Sequence, residues 1–174
     1  MMSVPRILVM GVAGSGKSTL ATQLARELDI ALIEGDDHHS AANRDKMRRG
    51  IPLEDADRMP WLDELGAALA ACDEGAVLTC SALKRNYRDR LRRAVPDLSI
   101  VFLDIALDAA YARVADRSAH LFPPSLVRSQ FEALEPPTAE GAVLRVDANR
   151  SPDEQLHTVL TWLGRTAAAQ ASTP

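Results

Sequence analysis

The stretch GVAGSGKST, Gly11 to Thr19, places Gly11, Gly16, Lys17 and Ser18 in the spacing G-x-x-x-x-G-K-[ST]. A loop that wraps a phosphate turns its backbone N–H groups inward, and glycine adopts that backbone at low steric cost. Lys17 brings a point charge to the β- and γ-phosphates, and the Ser18 hydroxyl is placed to hold Mg²⁺. A helix starting here turns its N-terminal dipole toward the same anion. Outward from the loop, Arg6 to Met10 is a short apolar run of the kind a buried parallel strand shows. Leu20 to Leu28 carries apolar residues at helical spacing. Strand, glycine loop and helix in that order predict a cradle for ATP. Its contacts are Gly11, Val12, Ala13, Gly14, Ser15, Gly16, Lys17, Ser18 and Thr19, with Ser18 as the metal ligand. The loop alone does not say where the phosphate goes.

The rest of the composition narrows the setting. A chain of 174 residues with 47% hydrophobic and 25% charged residues fits one domain with a substantial core. The net charge of −4 gives no overall attraction to nucleic acid or an anionic membrane, so any anion site is local. Cys72 and Cys80 lack metal-ligand spacing and read as reduced, buried thiols. No apolar run approaches membrane-spanning length, and Met1 to Arg6 lacks the apolar core of a secretion signal. The expected location is the cytoplasm.

Strand and helix patterns alternate, which predicts an α/β layer fold with a parallel sheet. The expected strands after the first are 31–34, 76–80, 99–104 and 142–147. The expected helices cover 41–49, a segment capped by Asp57 with Pro60 in its first turn and reaching about Cys72, 84–94, 109–117 capped by Asp108, and 125–134. A last helix opens at the capping box Ser151-Pro152-Asp153-Glu154 and runs to about Leu163. The single domain is expected over 1–165, with 166–174 as a disordered tail.

Ligands of such sheets sit at the carboxyl ends of the strands, which selects the polar residues to weigh. Asp36 and Asp37 follow the second strand. A carboxylate there can take the proton of an acceptor hydroxyl or hold a magnesium-bound water, and Asp36 is the stronger candidate. His38 and His39 are adjacent, which disfavours a shared metal; His39 is a candidate substrate contact. Arg58, before Trp61, and Lys84, just after the third strand, are candidate seats for an acidic group. The run Lys84, Arg85, Arg88, Arg90, Arg92, Arg93 otherwise reads as a solvated basic face. It lacks the interleaved aromatics of an RNA surface. Arg113 and Arg117 share one helix face and lead into a segment with two prolines. Cations ahead of a short segment suit a lid over about 117–125 that delivers charge to the phosphates and excludes water. Asp104 ends an apolar strand as a magnesium-site aspartate can, but Val77 to Cys80 can equally lie beside the first strand.

The segment Gly35 to Leu62 is more specific still. It reads G-D-x-x-H-x-x-x-N-x-x-K-M-x-x-G-x-P-L-x-D-x-D-R-x-P-W-L, carried by Gly35, Asp36, His39, Asn43, Lys46, Met47, Gly50, Pro52, Leu53, Asp55, Asp57, Arg58, Pro60, Trp61 and Leu62. This resembles the gluconate kinase family. Cys80 to Lys84 with Tyr87-Arg88-Asp89 agrees, as do Arg113, Arg117 and His120, and Ser129 to Glu132 with Leu134 to Pro136. The resemblance spans about Ile7 to Leu163. It implies a three-layer P-loop kinase fold with a five-stranded parallel sheet in the order 2-3-1-4-5. It implies ATP- and Mg²⁺-dependent phosphorylation of D-gluconate at its 6-hydroxyl, in a homodimer. The segment 35–62 then forms the acceptor site, with Lys17, Asp36 and Arg117 catalytic. Asp36, His39, Arg58, Lys84, His120 and Gln130 bind substrate, and Arg113 binds ATP. Family members often carry Gly where this chain has Ala119, and Pro where it has Ser40. The residues alone leave open a shikimate-like or nucleotide acceptor, and, less well, an NTP-binding regulatory or RNA-associated module.

Overall fold

The computed structural model describes residues 4–116 and 123–171. Five strands alternate with seven α-helices: β1 (Arg6–Met10), α1 (Lys17–Leu28), β2 (Ala31–Glu34), α2 (Ala41–Arg48), α3 (Asp55–Ala70), β3 (Ala76–Thr79), α4 (Arg85–Ala94), β4 (Ser99–Asp104), α5 (Leu107–Asp116), α6 (Ser125–Ala133), β5 (Val143–Asp147) and α7 (Pro152–Ala171). A one-turn 3₁₀ helix, Gly35–His38, joins β2 to α2. The sheet is parallel in the order β2-β3-β1-β4-β5, as the family resemblance implies.

β1 is central, and its alternation builds the layers. Ile7 and Val9 face one side, with Leu20 and Leu24 of α1, Ala110 and Val114 of α5, Val127 of α6 and Val159 of α7. Leu8 and Met10 face the other, with Trp61, Leu65 and Leu69 of α3 and Tyr87 and Leu91 of α4. Ile7, Leu8, Val9 and Met10 are all fully buried, which is why the strand reads as a continuous apolar run rather than an alternating one.

Several helix starts differ from expectation. α3 begins at Asp55, with Glu54 as its N-cap; Asp57 sits three residues in and completes a capping box by accepting the Glu54 N–H at 2.9 Å. Pro60 therefore lies beyond the first turn, inside the helix. α5 begins at Leu107, so Asp108 lies in its first turn rather than at its cap. Its carboxylate suits that position through the helix dipole. α7 continues to Ala171, so residues 166–171, expected in a disordered tail, are helical. The run of alanines near its end has the highest helix propensity available, which length-limited pattern reading overlooks. The capping box at its start forms as expected: Glu154 N donates to Ser151 Oγ at 3.3 Å and Ser151 N to Glu154 at 2.9 Å. Ser40 caps α2 by accepting the Asn43 N–H at 3.1 Å.

Candidate active site

β1 delivers the glycine loop to the carboxyl edge of the sheet, and Gly16, which carries no side chain, is the N-cap ahead of the first-turn N–H groups of α1. Those donors are what an anion takes up. At Gly11 a Cβ would come within 2.8 Å of both the Leu103 carbonyl oxygen and Ser15 Oγ, so the loop has this shape only with glycine there. Lys17 folds back over the loop, Nζ donating to the Gly11 and Val12 carbonyls at 3.1 Å each. The donor set fits a triphosphate.

Ser18 Oγ donates to Glu34 Oε2 at 3.0 Å, and Thr79 Oγ1 donates to the same oxygen at 2.6 Å. Glu34, the last residue of β2, is a further candidate that the sequence pattern did not single out, since only its position at a strand's carboxyl end hints at a role and its partners come from two other elements. Hydroxyls grouped on a carboxylate are the hard oxygen set Mg²⁺ prefers. Asp104 is not part of this set: it accepts from Arg145 of the neighbouring strand, at 2.7 Å from Arg145 Nε, in a separate depression near Asp147 and Arg150.

Across the crevice the 3₁₀ turn after β2 presents Asp36. Gly35 makes the turn possible: a Cβ at this position would overlap the Thr79 carbonyl oxygen of β3. Gly35 N donates to Thr79 Oγ1 at 3.2 Å, and Gly35 O accepts the Trp61 indole N–H at 2.8 Å. The Asp36 side chain is 78% exposed and His39 Nε2 lies 3.7 Å from its Oδ1. His39 is buried and stacked on Trp61, with centroids 4.1 Å apart. Burial lowers its pKa from the ordinary 6.5 to about 4, so the ring is neutral near pH 7. His38 faces away and meets Glu64 at 2.8 Å.

The far wall comes from α3 and the start of α4. Asp55 receives Lys84 Nζ at 2.9 Å and the Tyr87 hydroxyl. These hydrogen bonds, Tyr87's first and then Lys84's, hold its carboxyl below the usual carboxylate range. Arg58 and Lys84 each sit 5.6 Å from the centre of the Tyr87 ring, so one ring serves two cations. Cys80 lies in the floor, and burial pushes its thiol up to about 12, which makes it inert.

One cavity of about 590 Å³ joins these parts, lined by Lys17, Ser18 and Thr19 at one end and by Asp36, His39, Arg58 and Lys84 at the other. Two candidates also bond the phosphate loop. Gln130, expected at substrate, lines the same cavity, and its Oε1 accepts the Ala13 N–H at 2.7 Å. Arg113, expected at ATP, donates to the Gly14 and Ala148 carbonyls at 3.3 and 2.9 Å, tying the phosphate loop to the residue that follows β5. Arg117, His120 and most of the expected lid lie outside the described residues. The basic run on α4 is largely paired. Arg90 meets Asp63, Arg85 meets Asp89, and Arg88 and Arg92 meet Glu140.

A phosphate loop after the central strand, facing an acceptor wall in one cavity, defines a small-molecule kinase of the P-loop class. A family model described as an AAA domain matches residues 7–137. The chain is 44% identical over 146 residues to the thermosensitive gluconokinase of Escherichia coli, covering 82% of this chain and 78% of that one. It is 44% identical over 161 residues to a gluconokinase of Gluconobacter oxydans, covering 90% of each. A crystal structure of a gluconokinase from Sinorhizobium meliloti superposes with a TM-score of 0.89 at 40% identity, covering 98% of both chains. The chain belongs to the gluconokinase family.

Proposed function

We propose that this chain transfers the γ-phosphoryl group of ATP to the 6-hydroxyl of D-gluconate, giving 6-phospho-D-gluconate and ADP. The observation that carries the reading is the single cavity with Lys17 and Ser18 at one end and Asp36, Arg58 and Lys84 at the other. Gluconate is a polyol with one carboxylate, and the two ends of the acceptor wall match those two chemistries. Arg58 and Lys84 neutralise the carboxylate over the Tyr87 ring. Asp55 holds Lys84 in the meantime and is the group the substrate carboxylate displaces. Asp36 accepts the proton of the attacking hydroxyl, whose oxygen forms a bond to γ-phosphorus as the bond to the ADP oxygen breaks.

Phosphoryl transfer needs positioning and charge stabilisation more than covalent participation. The N-terminus of α1 and Lys17 hold the phosphates in line with that oxygen. Mg²⁺, when bound through Ser18 with Glu34 behind it, supplies charge neutralisation on the phosphate oxygens. Gln130 and Arg113 brace the loop. Arg117 and His120, which the family resemblance assigns to catalysis and to substrate, lie outside the described residues. The enzyme works in the cytoplasm as a homodimer; the family resemblance supports the dimer, and light scattering on the purified chain tests it.

The activity is tested by ADP release with MgATP and a panel of hydroxy acids and nucleosides. Gluconate is the expected substrate, and turnover with shikimate or a nucleotide in its place overturns the assignment. Lys17→Ala and Asp36→Ala each lower kcat by about 100-fold or more. Asp36→Ala still binds ATP, as read by calorimetry, and normal turnover in that variant removes Asp36 from the chemistry.

A further inference from the structure

Behind Asp36 stands a chain of contacts that the phosphate site does not require. It begins with Asn43 on α2, which is buried. Asn43 Nδ2 donates to the Asp57 carbonyl oxygen at 3.1 Å. A carbonyl only accepts, so this contact decides which end of the amide is the NH₂. The same Nδ2 lies 3.5 Å from His39 Nδ1. Facing a donor, Nδ1 presents its lone pair. A neutral imidazole then carries its single proton on Nε2, the nitrogen that faces Asp36 Oδ1 at 3.7 Å. The ring plane is fixed as well. His39 stacks on Trp61 at an interplanar angle of 20°, and Trp61 is itself anchored to the Gly35 carbonyl.

We propose that His39 is a positioning residue for Asp36, with Asn43 setting its tautomer so that Nε2–H is presented to one carboxylate oxygen and the other is left for the acceptor hydroxyl. The proposal rests on the reading of Asp36 as the group that takes the hydroxyl proton. The charge state matters to the logic. An imidazolium beside Asp36 would stabilise the carboxylate and weaken it as a base, whereas a neutral N–H orients it at little cost in basicity. The surroundings keep the ring neutral. The groups facing it are Asp36 from the 3₁₀ turn, Asn43 and Arg44 from α2, and Arg58 and Trp61 from α3. Burial and the two arginines disfavour protonation, and together they outweigh Asp36. Arg44 also holds the His39 backbone, Nε donating to its carbonyl at 3.1 Å.

The test is ¹⁵N NMR on the full chain labelled at histidine, with the His39 signals assigned by their loss in His39→Gln. The expected result near pH 7 is a neutral ring protonated at Nε2. A ring protonated at Nδ1, or an imidazolium, overturns the proposal. In Asn43→Asp the new carboxylate accepts from Nδ1–H, so the proton moves to Nδ1 and kcat falls about 10-fold or more with KM for ATP unchanged. A second pair keeps the question open to refutation should Asn43→Asp not fold. His39→Gln places an amide N–H near the former Nε2 and retains kcat within about 10-fold, while His39→Ala loses about 100-fold. Equal kcat in the two variants overturns the positioning role. Failure of the underlying reading looks different: Asp36→Asn then turns over normally while the His39 tautomer is still found as expected.

Discussion

His39 sits on two balances, one of orientation and one of protonation. The second has a consequence for stability. In the unfolded chain its imidazole titrates near the ordinary 6.5, and in the fold near 4. Between those values only the unfolded chain binds the proton, so stability is full above about pH 6.5 and declines as pH falls toward 4. At about 1.4 kcal/mol per pH unit the gap amounts to about 3 kcal/mol. Urea unfolding at pH 7 and pH 4.5 measures it. The loss between the two conditions is expected to be smaller in His39→Gln than in the wild type by about 2 kcal/mol. Residues of this kind were legible in the sequence where spacing is local. Lys17 and Ser18 follow from the glycine pattern, and Asp36 from its place after a strand. Glu34 was not legible, because its meaning depends on Ser18 and Thr79 meeting it from two other elements.

At the scale of elements, α4 shows how charge serves placement. Arg88 is fully buried, and its guanidinium donates to the Ala82 and Leu83 carbonyls at 2.8 and 3.0 Å and to the Glu135 carbonyl at 2.8 Å. Glu140 closes the cluster. Burial alone would raise its carboxyl, but hydrogen bonds from Arg88 and Arg92 outweigh that and hold it below the ordinary value. The cluster fixes the turn between β3 and α4, where Ala82 has φ +45°, and so aims Lys84 into the cavity. Removing one member of a buried ion pair costs about 3–5 kcal/mol. Arg88→Ala is expected to lose that much in chemical denaturation and to raise KM for gluconate. Unchanged stability would show that the guanidinium is not what fixes the turn. Arg88 was read in the sequence as one of a solvated basic run. Charge alone does not distinguish an arginine aimed inward at three carbonyls from its exposed neighbours. Helix existence was legible from periodicity, but the caps of α3 and α5 were not, since Asp57 and Asp108 serve the first turn as well as they would serve a cap.

At the scale of the whole molecule, the strand order puts β1 between β3 and β4, and β2 beyond β3. The phosphate loop leaves β1 and the acceptor turn leaves β2, with β3 between them supplying Thr79 and the cavity floor. That order followed from family resemblance, not from strand patterns, because alternation fixes layers but not neighbours. The join between β2 and β3 rests on Gly35, where the turn lies against the Thr79 carbonyl. Gly35→Ala is expected to keep its secondary structure by circular dichroism yet lose about 100-fold in kcat, since an added methyl displaces Asp36. Unchanged kcat would show that the turn can yield.

A missing methyl group thus welds the acceptor platform to the sheet. Asp36 and the phosphate loop stand at the ends of β2 and β1, two strands of one sheet held apart by β3, so their relative placement is built during folding.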